Sequence, residues 1–483
     1  MDGTDDTHRG RWIALAALAV AQFMVFLDET VVNVALPSIK ADLGFSSATL
    51  AWVVSTYIVV FGGLVLLGGR IADLVGRRRV FLIGTAVFGI ASLLDGLAPS
   101  QALLLAARAL QGVGAALATP AALALVAALF PERRERAKAL SIWGALSGLG
   151  FAVGILLGGA ITDVASWRWV FLINVPVALA SLFVVPRLVA ATPPVARRRF
   201  DIAGAVTVTG GMTALVYTVV KAPDYGWGSP TTLALFAVAI GLLTAFAVIE
   251  RRGRAPLVPA GFLRKREAAV PNALQLLLGM SAISTLFLLT LYVQQVLGFT
   301  PLEAGLAYVP LAAGVATATV VASRLVGQVG PRPLAVAGLA IAAGGMARMG
   351  HAPVAGEYAS DVLPAMILLG LGAGLSFVSV TTAALERVDD AEAGLASGLL
   401  STTVQLGGAL GIAVLASIVS QRAADLAGTG STPLAAQVGG LQIAFLVAAA
   451  VALVASVVAA IGLRGERAAE SEVAVAASVD TPS

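Results

Sequence analysis

The chain has 483 residues, of which 58% are hydrophobic and only 12% charged, with a formal net charge of +4. Soluble domains carry roughly 25% charged residues, so the composition excludes an ordinary soluble enzyme and points to a membrane protein. Cysteine is absent and the two histidines, His8 and His351, are far apart, which leaves no disulfide, thiolate site or histidine metal cluster to consider.

Apolar runs of about 17–25 residues mark spanning helices, and fourteen are predicted. The first, 12–36, contains the adjacent acids Asp28 and Glu29. A charge near the middle of a span costs about 2.5–3.5 kcal/mol, so the pair requires a partner, a water-filled cavity or a proton. At about 100° per residue, Gln22, Glu29 and Asn33 form one polar stripe and Asp28 lies to its side. Spans 48–70 and 79–98 follow, joined through "GRIADLVGRRR" (69–79), where Gly69 would allow close helix approach and Asp73 could accept from arginine. Asp95, near the end of the third span, is expected to touch water. Span 102–128 carries Arg108 at the depth of the two acids, and an arginine in hydrocarbon seeks a carboxylate. A purely structural ion pair is the alternative.

In span 139–162, Gly144, Gly148, Gly150, Gly154 and Gly158 are spaced for close helix packing. Span 169–188 is preceded by Trp167, which with Trp169 suits an interfacial belt. Spans 202–221 and 231–249 hold no strong internal charge and read as peripheral. Spans 269–293, 303–323, 333–349, 361–383, 393–419 and 438–462 complete the count. Thr300, Pro301 and Glu303 form a capping-box pattern, and Asp389, Asp390 and Glu392 stand where a helix N-terminus favours acids. The polar tail 465–483 reads as a disordered end.

Fourteen spans with both termini cytoplasmic place 25 of the 31 lysines and arginines on the cytoplasmic side, as the positive-inside rule requires. That distribution also explains the basic balance without a nucleic-acid partner. The leader is acidic and its apolar run is too long for a cleavable signal. "GFSSATL" (44–50) resembles "GFTPLEA" (298–304), and "GRIADLVGRRR" resembles "SRLVGQVGPRP" (323–333), both at an offset of 254 residues, chance similarity of small-residue helices being the alternative. Two related halves are the mark of a transporter built around a central site. The expected organisation is a six-helix bundle in 1–200, two extra helices in 201–250, and a second six-helix bundle in 251–464.

Five motifs in order carry a resemblance: "LDETVVNVALP", "GGRIADLVGRRR", "RALQGVGAA", "GLGFAVGILLGG" and "WRWVFLINVP". On these the chain resembles a major facilitator superfamily transporter of the fourteen-helix drug–proton antiporter branch. The fifth-helix motif departs from the pattern at Ile155, where the branch has proline. The resemblance implies an all-α membrane protein of the cell membrane, with no enzymatic activity and no cofactor. It would be a monomer exporting lipophilic, often cationic, compounds against protons. It marks Asp28 as the functional acid, with Glu29 and Arg108 beside it in proton coupling. It marks Gly69, Asp73, Gly76, Arg77 and Arg78 as a cytoplasmic latch, the alternative being a topology anchor. It gives Gly150, Gly154 and Gly158 a packing role. Polar and aromatic residues of the cavity-forming spans, Asn33, Trp52, Tyr57, Gln111, Gln275, Tyr292 and Gln295, are the substrate-binding candidates. No phosphate-binding "GxxxxGK[ST]" loop is present, so ion coupling is expected rather than ATP. A same-fold importer or facilitator, and a membrane sensor or enzyme, are the competing readings.

Overall fold

The computed structural model describes residues 3–130, 132–190, 202–253, 261–262, 264–386 and 393–463. Among these residues the chain is helical throughout, with no strand. In the apolar interior of a bilayer every backbone amide must be satisfied within its own segment, which leaves the helix as the available solution for such runs. The order is α1 (Gly3–Leu43), α2 (Ser47–Val75), α3 (Arg77–Gly96), α4 (Gln101–Leu129), α5 (Arg133–Val164), a single turn α6 (Trp169–Leu172) and α7 (Asn174–Leu188). Then come α8 (Ile202–Tyr225), α9 (Pro230–Arg252), α10 (Arg266–Leu278), α11 (Ser284–Leu291), α12 (Pro301–Ala307) and α13 (Val309–Val329). The last four are α14 (Pro331–Met349), α15 (Leu363–Leu385), α16 (Ala393–Gly428) and α17 (Pro433–Gly462). π-helical turns at Gly279–Ile283 and Tyr292–Val296 run α10 and α11 into one long segment, and a third at Tyr358–Val362 leads into α15.

Twelve helical segments among the described residues are long and apolar enough to cross a membrane. The two remaining expected spans, 139–162 and 333–349, fall on α5 and α14, which are not among the twelve. In α14, Arg332 and Arg348 lie within only 19 residues and dilute an otherwise apolar helix. The acids Asp389, Asp390 and Glu392 and the tail 465–483 lie outside the described residues.

The 254-residue repeat has a backbone counterpart. Gly44 and Gly298 take φ of 70° and 74°, and Gly76 and Gly330 take 108° and 75°, each pair at that same offset. Positive φ is accessible to glycine without steric cost, so these four positions end one helix and turn the chain into the next. Each member of the first pair is followed by a capping box, Ser46 with Thr49 and Thr300 with Glu303. The pattern read at 300–303 is therefore a cap.

Glycines set the closest helix approaches. A Cβ at Gly150 would lie 2.8 Å from Phe26 Cβ, one at Gly154 would lie 2.0 Å from Thr30 Oγ1, and one at Gly158 would lie 2.8 Å from the Val31 carbonyl oxygen. All three packing glycines thus seat α5 on α1. The next glycine, Gly159, faces α12, where a Cβ would sit 2.3 Å from the Pro301 carbonyl oxygen. Adjacent faces of α5 therefore pack on α1 and on α12. The close approach expected at Gly69 is instead made by its neighbour. A Cβ on Gly68 would meet the Ala116 carbonyl oxygen at 2.0 Å, whereas one on Gly69 would make only ordinary contact with Pro120 at 3.6 Å. A one-residue step turns a helix by about 100°, and that brings Gly68 rather than Gly69 into the closest approach to α4.

Helix α8 packs on α2 and α16, and α9 packs on α8. Leu233, Val238 and Ile240 of α9 are more than half exposed, an apolar surface suited to lipid.

Candidate functional site

Asp28, at the middle of α1, is fully buried and its carboxylate is surrounded by donors. Arg108 of α4 donates from Nη1 to Asp28 Oδ2 at 2.7 Å. Gln111, one turn further along α4, donates from Nε2 to Asp28 Oδ1 at 2.8 Å, and Asn174 at the start of α7 donates to the same oxygen at 3.0 Å. The equal depth of Arg108 and the acids expected from the spans is thus realised as a direct ion pair. Arg108 is 1% exposed and is itself satisfied by Gln111 Oε1 at 2.5 Å and the Val53 carbonyl of α2 at 2.9 Å. Its guanidinium lies over the Tyr57 ring at 4.5 Å and near the Phe171 ring at 5.7 Å, positions in which cation–π attraction adds to the pairing. Ser92 of α3 closes the network, accepting from Gln111 at 2.9 Å and from Asn174 at 3.5 Å. Four helices and the start of a fifth thus converge on one carboxylate.

Glu29 points elsewhere. Its Oε1 accepts from Gln405 Nε2 of α16 at 2.7 Å, while Asn33 donates back to the Glu29 carbonyl oxygen at 2.9 Å. One residue of helical rotation separates an acid closed within α1–α7 from an acid facing the second repeat. Gln294 makes a second crossing five residues beyond Glu29, donating to the Val34 carbonyl oxygen at 2.8 Å.

The loop residues form a clamp within the first repeat. Arg77 donates through Nε and Nη2 to Asp73 Oδ1 at 3.2 and 3.1 Å and reaches the Ala124 carbonyl of α4 at 3.3 Å. Arg78 donates to the carbonyls of Pro186 and Val189 at the end of α7, at 3.3 and 2.9 Å. Gly76 supplies the turn between them. These contacts fasten α3 to α4 and α7, and none reaches the second repeat.

The substrate-binding candidates do not form one lining. Tyr57 and Gln111 belong to the Asp28 cluster, and Asn33 belongs with Glu29. Trp52 lies instead against Tyr217 of α8, ring centroids 6.2 Å apart. Tyr292 is tied by its hydroxyl to the Pro353 carbonyl at 2.7 Å, and Gln295 accepts from Gln437 of α17 at 2.6 Å. Gln275 is buried near Thr381 of α15, with its Oε1 unpartnered. Helical facing sorts these residues among separate neighbours, which residue type alone could not foretell. A cavity of about 430 Å³ at the end of α14 is lined by Gly344, Ala347, Arg348, His351, Ala352 and Asp361, none of them a candidate.

Two further expectations are corrected. Asp95 does not touch water: it is fully buried, and neither carboxylate oxygen has a partner. The helix end is capped over by α6, which packs so closely that a Cβ on Gly96 would lie 2.5 Å from Leu172 Cγ. Trp167 is 4% exposed and donates to Asp42 at 3.0 Å, because Arg168 beside it pairs with the same carboxylate at 2.5 Å. Of the two tryptophans, only Trp169 faces outward. The reading of single residues missed the roles of Ser92, Asn174 and Gln405. Asn174 had a signal in "WRWVFLINVP", whereas Ser92 and Gln405 had none.

The chain matches the model of the Major Facilitator Superfamily over residues 18–412. It is 42% identical over 460 residues to the puromycin resistance protein pur8 of Streptomyces alboniger, covering 93% of this chain and 90% of that protein. It is 40% identical to the cephamycin export protein CmcT of Amycolatopsis lactamdurans (87% and 86% covered), and 37% identical to the lincomycin resistance protein of Streptomyces lincolnensis (95% and 92%). Its fold is similar to the POT family transporter PepTSo, with a TM-score of 0.68 at 15% identity over 94% of this chain and 97% of that one. Helices of membrane length and these likenesses agree: the chain is a multi-pass membrane transporter, not an enzyme, and belongs to the Major Facilitator Superfamily.

Proposed function

We propose that this transporter exports lipophilic, often cationic, drugs or natural products across the cell membrane in exchange for protons. The relatives named for puromycin resistance, cephamycin export and lincomycin resistance support export of antibiotic natural products. The observation that carries the mechanism is the split of two adjacent acids. Asp28 is closed into an ion pair with Arg108, while Glu29 bridges to Gln405 across the repeats.

An acid closed in by an arginine and two amide donors must break those contacts before it can meet water or a substrate. An acid at a boundary that opens and closes can meet water or a cationic substrate in turn. We therefore assign the exchanging proton to Glu29, and to Asp28 the part of the counter-charge that Arg108 pairs with in this arrangement. Protonation of Glu29 would weaken its bridge to Gln405, and a cation arriving in the opened cavity would displace that proton. The membrane potential adds about 2.3 kcal/mol per charge per 100 mV.

In the proposed topology the chain follows the fourteen-helix branch, as a monomer with both termini cytoplasmic and α5 and α14 spanning. The bundles are 1–200 and 251–464, with α8 and α9 as the added pair. The clamp of Asp73, Arg77 and Arg78 then lies at the cytoplasmic side, and its release loosens α3 during opening. The test is a drug-susceptibility panel in an efflux-deficient host, with and without a protonophore. Raised resistance that the protonophore abolishes is expected. Unchanged susceptibility to every compound would overturn the reading.

A further inference from the structure

The carboxyl of Asp95 has no role in the arrangement above, yet it is the least compensated acid in the described structure. It sits in the last turn of α3, fully buried, and both of its oxygens lack a hydrogen-bond partner. A helix C-terminus carries the negative end of the helix dipole, which disfavours an anion there. An isolated ionised carboxylate removed from water is so costly that the group takes up a proton instead. The same face of α3 carries Ser92 one turn earlier, bonded to both amides that hold Asp28.

The surroundings contain one group that could answer a charge on Asp95. Ser92, one turn before Asp95, is joined through Gln111 to Arg108 of α4 and to Asp28 of α1. Tyr57 of α2 lies under Arg108 with its hydroxyl unpartnered. Arg168, at the start of α6, is committed to Asp42 and to the Ala98 carbonyl at 3.2 Å. The α6 turn, pinned through Trp167 and Arg168 to Asp42, covers the site from the end at which α3 stops.

We propose that Asp95 is a second proton-binding site, covered by the α6 turn, whose occupancy decides which acid Arg108 pairs with. While Asp95 holds its proton, Arg108 stays on Asp28. When the proton leaves to outer water through a displaced α6 turn, the new anion draws Arg108 away and frees Asp28 and Gln111. Rebinding the proton restores the pair. This rests on the proton-coupled reading above and adds to it a site and a direction of access.

The test uses the full-length protein and two readouts. In purified wild type at neutral pH, infrared spectroscopy should show a protonated-carboxyl carbonyl band that Asp95→Asn removes. Asparagine resembles the neutral acid in shape, so the fold should persist. In proteoliposomes, Asp95→Asn should still bind drug but lose the pH dependence of drug-driven proton movement. A band unchanged by the substitution would overturn the proton on Asp95. A lost band with a wild-type pH profile would overturn its link to Arg108. Absence of proton movement in wild type would instead sink the coupled reading itself, with the infrared band still deciding the state of Asp95.

Discussion

Replacing Asp28 by asparagine leaves the Arg108 guanidinium buried, 1% exposed, without a counter-charge. It also turns an amide nitrogen or a weaker acceptor toward donors from Gln111 and Asn174 that now find a carboxylate oxygen at 2.8 and 3.0 Å. Removing one partner of a buried pair costs about 3–5 kcal/mol. At roughly 2–4 °C per kcal/mol for a unit of 150–250 residues, Tm should fall by about 6–20 °C. The assay is thermal unfolding of the detergent-purified protein, run on Asp28→Asn, Arg108→Gln and the double variant. The double variant should be less destabilised than the sum of the singles, because the uncompensated charge is gone. Asp28→Asn with wild-type Tm, or strictly additive singles, would refute the view that Asp28 is a structural counter-charge.

Gly154→Val should abolish correctly folded protein in the membrane, since even a Cβ would lie 2.0 Å from Thr30 Oγ1 and 3.0 Å from the Leu27 carbonyl; yield and monodispersity after extraction report it. Asp73→Asn should reduce transport without preventing membrane insertion, because it weakens the hold on Arg77 at a part-exposed site where a pair is worth about 1 kcal/mol or less; full transport would leave the loop an anchor only. A reporter in 221–230 should be accessible from outside and one in 251–267 from inside; labelling from one side would break the fourteen-span topology.

Much of the fold was legible because it rests on local rules. Apolar run length marked twelve of the fourteen expected spans, and the 254-residue offset anticipated the paired turns at Gly44 and Gly298 and at Gly76 and Gly330. Depth along a helix sufficed to bring Arg108 to an acid, and periodicity sufficed to send Asp28 and Glu29 to different neighbours. What was not legible depends on tertiary contact. The partner of Glu29 comes from a helix 376 positions away, and Asp95 is buried at a helix end against which the α6 turn packs. Gly68 displaced Gly69 as the close contact for want of an interhelical register. The cavity candidates are spread among separate neighbours because polarity says which residues can bind a solute, and helix rotation decides which of them face the same space.

The central claim is that Glu29 carries the exchanging proton. Glu29→Gln keeps an oxygen able to accept from Gln405 Nε2, now at 2.7 Å, and removes only the ionisable group, so a loss of coupling cannot be ascribed to lost structure. The direct measurement is drug-driven proton movement in proteoliposomes containing Glu29→Gln, reconstituted at the wild-type level and checked for wild-type Tm. The account predicts that proton movement vanishes while drug binding remains. Proton movement persisting at the wild-type rate in Glu29→Gln would contradict it and return the role to Asp28.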